Sequence, residues 1–265
     1  MSDRFLLRIA APLLRDLAGA GNWFFIRYGE GGPHLRIRVA VDDPAVSDRL
    51  HECWRQAAPR HVDAAPLAIE WRSDDAPERE PGSVHRIAYE PEVARYGGPR
   101  AMASNERLFC QSTSLALGII GATLGDADRR IGQAIKIMIA SVRSFADDPA
   151  EIGEIFRRYA AGWRSFLAPT GWTPDGEPVA LSDPHAIEAA LLETPDERRS
   201  YSSAWRGCLA ALIAALDADD AAPLTASKPD IVMSQLHMFC NRLGLSPAME
   251  FHLATAIAKV LQHGA

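Results

Sequence analysis

A chain of 265 residues, 48% of them hydrophobic, is long enough to bury a substantial core as one large domain or two small ones. A net charge of −6 and the lack of any Lys/Arg run exclude a protein that lives on nucleic-acid phosphates. There is no stretch of about 18 apolar residues and no basic N-terminal region leading into an apolar run, so a soluble, cytoplasmic protein with no membrane partner is expected.

Residues 5–10 (FLLRIA) predict a first strand, and Pro12 opens a short helix over 13–17 that ends among Gly19 to Gly21. The stretch WFFIRY at 23–28, a Gly/Pro-rich connection at 29–33 and HLRIRV at 34–39 predict a β-hairpin, because aromatic and β-branched residues favour a pleated, half-buried surface. Alternation in its second strand puts Leu35, Ile37 and Val39 on one face and His34, Arg36 and Arg38 on the other. Two guanidiniums roughly 6–7 Å apart beside an imidazole suit an anion, although an arginine pair on a strand is by itself more often a solvated face. Asp42, Asp43 and Pro44 start a helix through about residue 57 with Val46, Leu50 and Trp54 inward. Residues 67–71 read as a short strand, 73–83 as a surface loop and 84–89 (VHRIAY) as the last strand. Residues 90–98 (EPEVARYGG) form a compact helical turn with Arg95 near its end.

Beyond that turn the period changes to that of long helices, at 99–124, 126–145 and 151–167. The stripes Ile131, Ile135, Met138, Ile139, Val142, Phe145 and Ile152, Ile155, Phe156, Tyr159, Trp163, Phe166 are assigned to core. A Pro/Gly-rich connection or lid at 169–184 follows, then helices at 185–192 and 199–216, an acidic loop at 217–229, and helices at 230–243 and 246–262. Cys53, Cys110, Cys208 and Cys240 are widely spaced, with no CxxC, and read as small core residues in a reducing compartment. The whole indicates α+β architecture: a small, mainly antiparallel N-terminal sheet packed against a large helical C-terminal part. It forms one domain over 1–265, β-rich to about residue 90 and helical from about 91.

There is no Walker loop, no GxGxxG opening a helix after a strand, no HExxH, no GxSxG and no paired Cys/His ligand spacing, so chemistry without a cofactor or metal is expected. Besides the hairpin, the best candidate is the helix containing SQLHMFCNRLG at 234–244. There Ser234, His237 and Asn241 fall at i, i+3 and i+7 beside an apolar stripe of Val232, Leu236, Phe239 and Leu243. An imidazole so placed can exchange a proton near neutral pH, though a helical histidine at a core edge is usually just hydrogen-bonded. His51, His61, His85, His185, His252 and His263 show no partner pattern and are read as structural.

Three pieces taken together, WFFIRYGEGGPHLRIRV at 23–39, YEPEVARYGG at 89–98 and LHMFCNRLGL at 236–245, resemble in identity and order the C-terminal domain of nisin-type lantibiotic dehydratases, a superfamily that includes stand-alone thiopeptide biosynthesis proteins. The resemblance implies an enzyme that eliminates glutamate from glutamylated Ser or Thr of a ribosomally made precursor peptide. A separate tRNA-dependent enzyme would perform the glutamylation, so this chain would not itself contact nucleic acid. By motif, the elimination residues are Arg36, Arg38, Arg95 and His237. Arg36 and Arg95 are expected to bind the anion, Arg38 to support that site and His237 to transfer the proton. Arg27, His34, Tyr96, Ser234 and Asn241 are expected around them as substrate contacts. Two other readings stay open. One is a thiopeptide pyridine synthase joining two dehydroalanines by a formal aza-[4+2] cycloaddition with leader release. The other is a non-catalytic peptide-binding subunit using the strand at 23–28 as an edge for β-augmentation. The oligomeric state is open, a homodimer included.

Overall fold

The computed structural model describes residues 3–19, 21–29, 32–61, 80–174, 187–188, 190, 200–218 and 223–263. The chain begins as a helix and not as the expected strand. A short turn at Asp3–Phe5 and a π-helical turn at Leu6–Ala10 run straight into α1 (Ala11–Ala18). Leu6, Ala10 and Leu14, four residues apart, are all fully buried, so the apolar run FLLRIA follows a helical period that its length alone could not reveal. Pro12 lacks an N–H and its ring crowds the carbonyl four residues back. The widened turn, in which Ala11 N–H bonds to Leu6 O, accommodates both effects.

The hairpin forms as read, with β1 (Trp23–Tyr28) and β2 (His34–Val39) antiparallel in a register that pairs Trp23 with Val39 and Tyr28 with His34. Opposed residues share a face, so Trp23, Phe25 and Arg27 stand with Leu35, Ile37 and Val39, while Phe24, Ile26 and Tyr28 stand with His34, Arg36 and Arg38. Trp23 and Phe25 anchor the first face in the core. Helix α2 (Pro44–Ala57) starts where Asp43 caps the Ala45 N–H and Pro44 presets the first turn.

The expected strand at 67–71 lies outside the described residues, as do most of the loop at 73–83, the lid-like connection from 175 onward and most of the helix at 185–192, of which 187–188 and 190 are helical. Residues 84–89, read as a last strand, join no ladder among the described residues. Ile87 and Tyr89 remain 44% and 40% exposed, and Arg86 reaches across to Asp48 and the Ser47 carbonyl of α2. This segment is held by side chains.

The remaining helices are α3 (Pro99–Ala122), α4 (Ala127–Val142), α5 (Pro149–Leu167), α6 (Tyr201–Asp217), α7 (Lys228–Leu243) and α8 (Pro247–His263). Their starts are written locally: Asp126, Asp148, Ser200 and Ser227 each accept a backbone N–H of the first turn. Helices α3 and α4 both pack on α6 and α7, β1 seats on α3 and α7, and α5 lies along α8. Among the described residues the result is α+β, a two-stranded antiparallel sheet at the N-terminal end followed by a helical body. The assigned stripes on α4 and α7 are buried, except that Phe145, just past the end of α4, is half-buried against the core. On α5 the assignment to core fails at its end, because Phe166 is 48% exposed and Tyr159 and Trp163 turn toward the site described next. No described helix is long and apolar enough to cross a membrane, and the four cysteines are free.

Candidate functional site

The face of the hairpin bearing His34, Arg36 and Arg38 looks into a cavity of about 850 Å³ walled also by the turn at 92–96, α7 and the N-terminal end of α8. Of the nine residues singled out in the sequence, eight line it; Ser234 touches it only through Arg95. Residues some 200 positions apart in the chain thus share one space.

Alternation along β2 aims the three polar side chains, and specific contacts then fix them. His34 Nδ1 donates to Gly32 O at 2.8 Å, which leaves Nε2 to accept from Arg36 Nε at 3.2 Å. The Arg36 guanidinium lies 3.4 Å above the Tyr28 ring centroid, so stacking holds its plane. Arg38 is half-buried against Tyr89; burial, and then the charge of Arg36, draw it below the usual guanidinium value. Two like charges held this close favour an anion between or above them.

Arg95 arrives from the turn at 92–98, which Gly97 and Gly98 close at φ +90° and +94°. A Cβ on Gly97 would lie 2.8 Å from Ile231 Cδ1, so the turn sits directly on α7. Arg95 Nε donates to Ser234 Oγ at 3.2 Å and Nη1 to Glu92 at 3.0 Å. Asn105 holds the same turn from beneath by donating to the Tyr96 carbonyl, and is itself held by Gln235. The Tyr96 hydroxyl is pushed up to about 12 by burial, so it remains a neutral phenol at neutral pH.

His237 projects from α7 into the cavity with its Nδ1 2.9 Å from Glu250 Oε1 on α8. Glu250 is fully buried, and its other oxygen accepts from the Tyr159 hydroxyl of α5. Burial, and then the Glu250 charge, keep Tyr159 protonated. A carboxylate only accepts, so the pairing places the imidazole proton on Nδ1 and leaves Nε2 to the cavity. Trp163 packs on the ring, centroids 4.7 Å apart. Sequence reading missed this support: Tyr159 and Trp163 were hidden in an apolar stripe. Glu250 carried the one usable signal, as the only acid in the apolar run 247–258 of α8.

Two of the expected substrate contacts have other partners. Asn241 Oδ1 accepts from Arg27 N and its Nδ2 donates to Arg27 O, both at 2.8 Å, so the side-chain amide docks α7 on the outer edge of β1. That edge is therefore taken at Arg27 and does not offer itself there for strand addition. Arg27 bonds the Arg242 carbonyl and, at 2.6 Å, Asp3, which also holds Arg130. Although burial opposes it, these two cations keep the Asp3 carboxyl below its ordinary value. Among the described residues no group of His, Cys, Asp and Glu is placed to hold a metal ion.

The model of the family described as lantibiotic biosynthesis dehydratase, C-terminal, matches residues 1–261. A comparison with curated proteins gives no match. Among solved structures, the pyridine synthase TbtD from thiomuracin biosynthesis is similar at 16% identity, TM-score 0.64, over 98% of this chain and 94% of that one. TsrL is similar at 18% identity, TM-score 0.55, over 98% and 91%. The tRNA-dependent lantibiotic dehydratase MibB from Microbispora sp. 107891 is similar at 22% identity, TM-score 0.52, over 99% of this chain and 27% of that one. At these identities the likenesses speak for the fold.

Proposed function

The chain belongs to the lantibiotic biosynthesis dehydratase C-terminal family, and from that premise we propose that it is a cofactor-independent lyase that eliminates glutamate from glutamylated Ser or Thr of a ribosomal precursor peptide. The observation that carries this reading is the convergence of Arg36, Arg38, Arg95 and His237 on one cavity, with His237 backed by a buried carboxylate. In the reaction, His237 Nε2 takes the α-proton, the released electron pair forms the Cα=Cβ bond, and the Cβ–O bond breaks to free glutamate as its carboxylate. Glu250 stabilises the imidazolium that results. The guanidiniums meet charge where it develops, on the peptide carbonyl oxygen and on the leaving carboxylate, and one such positioned donor is typically worth about 3–4 kcal/mol.

A second reading, the pyridine synthase, is supported by the similarity to TbtD over nearly the full length of both chains. Elimination is preferred because a cycloaddition between two dehydroalanines has no anionic leaving group for three arginines to hold. The test is mass spectrometry after incubation with a precursor peptide already glutamylated by the separate tRNA-dependent enzyme, with no tRNA or ATP added. Release of glutamate and formation of dehydrated peptide is the expected result. If glutamate stays attached while a dehydroalanine-bearing peptide becomes a macrocycle and loses its leader, the cycloaddition reading replaces it; tight leader binding with no chemistry would favour a peptide-presenting subunit.

A further inference from the structure

Arg242 takes no part in the chemistry above, yet it lines the same cavity. Its side chain is fully buried, and Nε donates to Thr113 Oγ1 at 3.1 Å. Nη1 and Nη2 find no acceptor among the described residues. Burial lowers it to about 10, which still leaves it a cation at neutral pH. A buried, uncompensated guanidinium is strongly unfavourable unless something carrying negative charge completes it. The Phe109 ring, 5.6 Å from Cζ, offers its quadrupole but accepts no hydrogen bond from the fork. Of the two acids on the cavity wall, Glu92 is committed to Arg95, and neither it nor Glu90 accepts from the Arg242 fork.

We propose that Arg242 is a specificity-determining residue for the group to be expelled, its two Nη atoms receiving the side-chain carboxylate of the glutamyl ester. This rests on the elimination reading. An acyl group delivered from an aminoacyl-tRNA is joined through its α-carboxyl, so the side-chain carboxylate is what distinguishes glutamyl from glutaminyl. A planar fork matches that carboxylate at two points. Tyr96, Met102 and Phe109 form a small cluster apart from the main core, with Phe24, Val93 and Met238 packed on it. Met102 and Met238 both face the cavity, and unbranched thioether side chains repack easily to admit a ligand.

The experiment compares kcat/KM for elimination from two precursor peptides, one carrying glutamyl-Ser and one glutaminyl-Ser, with wild type, Arg242→Met and Arg242→Lys, alongside thermal midpoints. Wild type is expected to prefer the glutamyl ester by about tenfold or more, the preference lying mainly in KM. Arg242→Met brings the ratio near one and melts no lower than wild type, because an apolar side chain of similar volume replaces an uncompensated charge. Arg242→Lys, which keeps the charge but not the fork, gives an intermediate ratio and decides the matter should the methionine variant not fold. A lowered midpoint with the glutamyl preference intact overturns the proposal. Equal turnover of both esters by wild type overturns it while leaving elimination standing; turnover of neither removes the elimination reading, and this proposal with it.

Discussion

Replacing Glu250 by glutamine removes one charge and almost nothing else. The amide is isosteric, and it can accept from His237 Nδ1 while its NH2 meets the Tyr159 oxygen, so both contacts of the buried carboxylate survive. What disappears is the negative charge facing His237 when the imidazole takes the substrate proton. For unit charges about 4 Å apart at an effective dielectric near 20 the attraction is about 4 kcal/mol. Each 1.36 kcal/mol is a factor of about ten in rate, so kcat for glutamate release is expected to fall about 10³-fold. KM should change little, because Glu250 is fully buried and is not part of the cavity lining. The assay is single-turnover release of glutamate from glutamylated peptide, with the fold checked by thermal melting. A correctly folded Glu250→Gln variant retaining more than about a fifth of wild-type kcat would refute the assignment of His237 as the base supported by this carboxylate.

Arg95→Ala and His237→Ala are each expected to abolish elimination, Arg95→Ala with the thermal midpoint nearly unchanged and His237→Ala with a lowered one, because it strips the buried Glu250 of a partner; turnover retained in both folded variants would remove them from the chemistry. Gly97→Ala should lower stability by about 1–3 kcal/mol in denaturant titrations, because φ +90° strains an L residue and the new Cβ meets Ile231. Asn241→Leu strips two hydrogen bonds from β1, and a loss of about 1–3 kcal/mol is expected in the same measurement. Asp3→Asn leaves Arg27 and Arg130 without their shared acid, which at pH 7 should cost about 3 kcal/mol. Because the folded-state value of Asp3 is depressed, its contribution is complete above about pH 4 and fades as pH falls through that depressed value. Unfolding curves of wild type and variant should therefore converge in acid; a gap that persists there would count against the ion pair.

The hairpin and most helix ends were legible because their causes lie within a few residues. Asp43 before Pro44, Ser227 before Lys228 and Gly244 after Leu243 act on backbone groups of their own turn. The strand expected at 5–10 was misread because six apolar residues fit two periods, and only the partners that bury Leu6, Ala10 and Leu14 choose between them. The strand expected at 84–89 had the right residue types but pairs with no strand among the described residues, and pairing is not written in a segment's own residues. At the site, the face of β2 that carries His34, Arg36 and Arg38 followed from alternation alone, and the motifs supplied Arg95 and His237. Their meeting did not follow, since spacing in sequence says nothing about which helix packs on which.

The hairpin, most helix boundaries, the family, and the side chains able to grip an anion and move a proton were thus written in the sequence. Tertiary structure alone decided that α5 and α8 would place Tyr159 and Glu250 behind His237, that Asn241 and Arg27 would fasten the hairpin to α7, and that Arg242 would be buried with part of its guanidinium unanswered. The reason is physical: capping, turns and alternation act over a handful of residues, whereas a charge acquires its chemistry from the burial and partners that distant helices impose.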